Sequence, residues 1–150
     1  MSRLLYERSV SYLGYLIIPF VFTRVDGEAI YSYVLLSALG RKGEFHRAEN
    51  PAGIYSSEID EAIDIAEEHL EDYSDSDLWD DYFQNRYTYH DNLIITYQIA
   101  DKCFYDHYPP DSLQNIAAPK IFETEFDCIQ WVKSGLDRRD RDKHPENISG

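Results

Sequence analysis

Asp26-Gly27 separates two runs rich in β-branched and aromatic residues, YLIIPFVFTRV at 15–25 and EAIYSYVLLS at 28–37. A two-residue type I′ connection needs positive φ at both central positions, which Asp tolerates and Gly adopts without steric cost. The two runs are therefore expected to pair as an antiparallel hairpin, and whatever else forms must cover it. Pro19 has no N–H for a ladder, so its strand is expected at a sheet edge or with a bulge there. A short strand is expected earlier, within residues 4–10.

After a Gly-, Pro- and charge-rich loop at 40–53, the next element is helical. Ile59, Ala62, Ile63, Ala66, Leu70 and Tyr73 recur at steps of three and four and form one apolar stripe. Ser57 followed by Asp60 matches the capping-box spacing, which starts the helix near Ser57. Further strands are expected at 86–90, 93–100 and 103–108, with Pro109-Pro110 ending the last. A second helix at about 124–136 is expected to bury Phe126, Ile129, Val132 and Leu136, with Cys128 and Trp131 beside them. The polar segment from Asp137 reads as a disordered tail, so residues 1–136 form one domain and 137–150 lie outside it.

These elements make an α+β fold: an antiparallel sheet with two helices in the order ββ-α-ββ(β)-α. Residues 54–60 (IYSSEID) echo 121–127 (IFETEFD), each after a proline, which suggests a strand-strand-helix pseudo-repeat. Any capped helix draws on the same residues, so the echo also has a simpler origin.

Charge is distributed unevenly. The chain has a formal net charge of −14. No Lys or Arg occurs from Ala48 to Asn85, where thirteen acidic residues lie between Glu49 and Asp81. The flanking segments nearly balance. Such a field disfavours nucleic-acid backbones and favours basic proteins. Glu61, Asp64, Glu68, Asp72, Asp75, Asp77, Asp80 and Asp81 are the candidate partner-binding residues, the alternative being a merely solvated face.

Known chemistry-bearing motifs are absent: GxxxxGK[ST], GxGxxG, GxSxG, HExxH and CxxC do not occur. Cys103 and Cys128 read as reduced, packed thiols rather than a redox pair or metal site. The Asp72–Asp81 segment has oxygen ligands for a hard cation but lacks the EF-hand turn glycine and closing Glu. No catalytic, metal or cofactor residue is therefore assigned. His90 beside Asp91 and His107 beside Asp106 suggest acid/base pairs, but neighbouring strand residues point to opposite faces. Tyr87 and Tyr89 share a face and suit either a sheet rim or a contact surface.

The longest apolar run, 12–23, is too short to span a bilayer and contains Pro19. The N-terminus lacks signal-peptide order, which leads to the expectation of a cytoplasmic protein without membrane contact. The resulting functional expectation is a non-enzymatic acidic module that docks a basic protein partner as regulator, adaptor, inhibitor or nucleic-acid mimic. The rival is a small enzyme or ligand-binding protein with a Tyr/His-lined site, divalent-metal dependent in one version. A homodimer formed through an open sheet edge is a third arrangement.

Overall fold

In the computed structural model, residues 3–38, 40, 45–73 and 82–143 are described, with side chains through Asp140. Three strands, β1 (Val10–Tyr12), β2 (Tyr15–Val25) and β3 (Glu28–Ser37), form one antiparallel sheet. Helix α1 (Ile59–Tyr73) follows, then a second antiparallel sheet of β4 (Arg86–Tyr89), β5 (Asn92–Ile99) and β6 (Lys102–Tyr108), then helix α2 (Glu125–Lys143). The α+β class holds, with two three-stranded sheets where one was expected.

The hairpin is as its turn dictates: Val25 pairs with Glu28, and Asp26 and Gly27 have φ of 52° and 84°. Leu13-Gly14 and His90-Asp91 make the same kind of turn, with positive φ at both residues. A Cβ at position 27 would meet nothing within 4 Å, so a substitution there tests backbone strain alone. Gly27→Ala is expected to lower stability by about 1 kcal/mol, read from the denaturation midpoint at unchanged slope.

Pro19 occupies the central strand of its sheet, not an edge. Its C=O accepts from Leu5 N–H at 2.9 Å, so its nitrogen faces that same side. There β1 pairs only with Tyr15 to Ile17, and no ladder donor is needed from position 19. The register shift lies farther along, between Val21 and Thr23.

Side chains alternate across each strand, and both faces of both sheets find cover. Leu16, Ile18, Phe20, Val34 and Leu36 meet Leu93, Ile95 and Tyr108 in a core between the sheets. Tyr15, Ile17, Tyr33 and Leu35 turn the other way, onto Ile63, Ala66 and Leu70 of α1. Ile94, Cys103 and Tyr105 likewise meet Cys128, Ile129, Val132 and Leu136 of α2. The layers therefore run helix, sheet, sheet, helix. Burial on both sides explains why 15–20 and 93–95 read as unbroken apolar runs rather than alternating ones.

Each half is a three-stranded meander, a return segment bridging its last strand, and a helix over its own sheet. Ser56 bridges Tyr31, and Phe122 bridges Cys103. The buried helix positions Ala62, Ile63, Ala66 and Leu70 correspond to Cys128, Ile129, Val132 and Leu136, all 66 residues apart, as are Ser56 and Phe122. The sequence echo aligns positions 67 apart, one residue out of this register. It therefore does not coincide with the structural repeat.

Several boundaries differ from the sequence reading. Leu4 bridges Phe20, but the first strand begins only at Val10. The hydroxyl at the start of α1 is that of Ser56, accepting from Glu58 N–H at 3.1 Å, in place of the Ser57 cap. In α2, Thr124 does cap, accepting from Asp127 N–H at 3.1 Å. Tyr73, in the last turn of α1, and Phe126, turned aside from the stripe that α2 buries, are 62% and 70% exposed instead of buried. Helix α2 runs on to Lys143, into the segment read as a tail. Residues 144–150 lie outside the described residues.

Candidate functional site

Helix α1 turns Ala62, Ile63, Ala66 and Leu70 to its sheet, which leaves Glu61, Asp64, Glu68 and Asp72 on the opposite side, all exposed. Their steps of three and four keep them in one stripe, about 16 Å long at 1.5 Å per residue. None is in an ion pair among the described residues. Asp75, Asp77, Asp80 and Asp81 lie outside the described residues.

Two neighbouring carboxylates are engaged from the side. Arg8 pairs with Asp60 at 3.3 Å, and the Tyr12 hydroxyl donates to Glu71. The carboxyl of Glu67 is pushed up by partial burial and then by Asp64 and Glu71. Helix α1 has no basic residue in its last turn, where Glu71 and Asp72 meet the negative end of the helix dipole. This arrangement costs stability, and the packing beneath must offset it.

The suggested His–Asp pairs separate. His90 Nε2 lies 2.9 Å from Asp137 Oδ1, which also accepts from the Tyr89 hydroxyl at 2.8 Å. The Tyr87 hydroxyl donates to Glu125. Both tyrosines thus pack at the rim between β4 and α2. Asp106 accepts from the Tyr82 hydroxyl and from Asn115 Nδ2, the latter at 2.9 Å. His107 instead meets Asn92, with Nε2 to Oδ1 at 2.9 Å. Asn92 and Asp137 escaped the sequence reading because neither adjoins the histidine it holds. Cys103 and Cys128 are both buried and interact electrostatically, a meeting that the missing CxxC spacing could not indicate.

Burial lowers the His107 pKa to about 4, with Arg139 adding repulsion. The unfolded imidazole titrates near 6.5, so the folded state binds fewer protons between those values. This contribution is present above pH 6.5 and is lost as pH falls toward about 4. At 1.36 kcal/mol per unit it amounts to roughly 3 kcal/mol. A His107→Gln protein is expected to lack that part of the acid slope, measured as wild type minus variant unfolding free energy from pH 7 to about 4.

Comparison with protein-family models, with curated proteins and with solved structures found no match to this chain. Among the described residues, no helix is long and apolar enough to cross a membrane.

Proposed function

We propose that the chain is a non-enzymatic interaction module whose α1 face docks a basic protein partner. The observation that carries this reading is the outward stripe Glu61, Asp64, Glu68 and Asp72, exposed and without a basic partner among the described residues. The proposed surface continues through Asp75, Asp77, Asp80 and Asp81, which follow α1 in the sequence. A stripe that is unfavourable for its own helix is retained when it serves something outside the molecule. Its field would speed encounter with a cationic surface at low salt, and exposed charges lose that influence within a Debye length of about 8 Å at physiological ionic strength. Regulator, adaptor, inhibitor and nucleic-acid mimic are the roles such a surface serves, and the partner's identity decides among them.

Affinity capture from the source organism tests this. A basic protein held at about 50 mM salt, released at about 500 mM, and not held by E61Q/D64N/E68Q/D72N supports the proposal. Equal retention on both proteins, or retention indifferent to salt, contradicts it.

A further inference from the structure

Between β6 and α2 lies a cavity of about 160 Å³, lined by Tyr105, His107, Ile116, Trp131, Arg138 and Arg139 among others. An engineered apolar cavity of about 150 Å³ holds benzene, so a single ring fits this volume. The polar groups in it are unusually well defined. Asn92 Nδ2 donates to His90 O at 2.8 Å, which turns Asn92 Oδ1 toward His107 as an acceptor. His107 must therefore carry its proton on Nε2, and its Nδ1 is a bare acceptor with no partner among the described residues. His107 is only 6% exposed, so its form is set by the fold rather than by solvent.

Tyr105, also buried, accepts from Ala118 N–H at 2.8 Å through its hydroxyl oxygen. Its own O–H donates to nothing among the described residues. Arg138 and Arg139 stand at the rim with no carboxylate partner among the described residues, in a chain of net charge −14. Two exposed guanidiniums without a carboxylate partner among the described residues, a phenol donor and an imidazole acceptor thus surround the volume. The imidazole and the phenol line the cavity with hydrogen-bonding capacity left over among the described residues, so a ligand lodged there can use both.

We propose that this cavity binds a small carboxylic acid with an apolar body and a hydroxyl group. The carboxylate accepts from Arg138, Arg139 and the Tyr105 hydroxyl, the body lies against Ile116 and Trp131, and the ligand hydroxyl donates to His107 Nδ1. The site is on the opposite side of the molecule's layers from α1, so it stands or falls independently of the docking face.

The test is an NMR titration of the full chain with 4-hydroxybenzoate, benzoate and phenol, following the Trp131 indole and the Ile116 and Leu136 methyls. Saturable shifts with 4-hydroxybenzoate are expected. Binding should weaken about tenfold or more for benzoate, for phenol, and for 4-hydroxybenzoate on R138Q/R139Q, each lacking a charged or buried hydrogen bond. The arginines are exposed, so that variant keeps the fold. E61Q/D64N/E68Q/D72N should bind the acid as wild type does. No saturable shift up to about 10 mM, the limit of even millimolar affinity, overturns the proposal, as does equal binding by R138Q/R139Q.

Discussion

E61Q/D64N/E68Q/D72N is expected to be more stable than wild type by about 1 kcal/mol and yet to lose its partner. Asp64 with Glu68, and Glu68 with Asp72, are like charges one helical turn apart, and each such pair costs about 0.2–0.5 kcal/mol. Asp72 also opposes the helix dipole at its C-terminal end, a gain on substitution that the loss of Glu61 from the first turn partly offsets. The substitutions remove both penalties and touch nothing buried, because all four side chains are exposed. Association, in contrast, loses its steering, and rates are expected to fall by about 10- to 1,000-fold at low salt. Chemical denaturation and stopped-flow association with the captured partner measure the two effects. A gain in stability together with a loss of binding identifies a functional surface. A gain in stability with unchanged binding identifies a solvated one.

The second large effect tests the layering. Leu93 and Ile94 are adjacent in β5 and point to opposite faces, Leu93 into the core between the sheets and Ile94 toward α2. Both are buried, at 0% and 1% exposure. Leu93→Ala and Ile94→Ala are therefore each expected to cost about 2–5 kcal/mol, the lost transfer energy plus the cavity left behind. A sheet with one open face would show that cost at only one of the two positions. Phe126→Ala, at an exposed position, should stay within about 0.5 kcal/mol. Urea midpoints for the three variants give the comparison, and a near-neutral Leu93→Ala or Ile94→Ala would contradict the four-layer arrangement.

Local rules carried the reading of this chain a long way. Asp26-Gly27 specified a turn geometry that only a hairpin satisfies, and the spacing of Ala62, Ile63, Ala66 and Leu70 specified a buried helical stripe. The failures occur where a spacing admits more than one face. Phe126 is three residues before Ile129, but the stripe that α2 buries centres on Cys128, Val132 and Leu136, and Phe126 falls to its side; Tyr73 keeps the period of α1 and is exposed in its last turn. The number of sheets was hidden for a related reason. Unbroken apolar runs such as 15–20 mean burial on both faces, but not what does the burying. The histidine sites were illegible because their partners come from distant segments: Asp137 reaches His90 from α2, and Asn92 reaches His107 across a strand pair. The acidic stripe was legible because it needs only helical spacing. Its lack of ion pairs among the described residues was not, since Arg8 does reach Asp60 from far along the chain.

The most direct test is amide hydrogen exchange of the chain with and without its captured partner at low salt. Added protection is expected along the second half of α1 and the residues after it, through Asp81, and should vanish in E61Q/D64N/E68Q/D72N. Protection confined to β4, the outer strand of its sheet, or to α2, with α1 unchanged, would place the contact elsewhere and contradict the docking role of the acidic face.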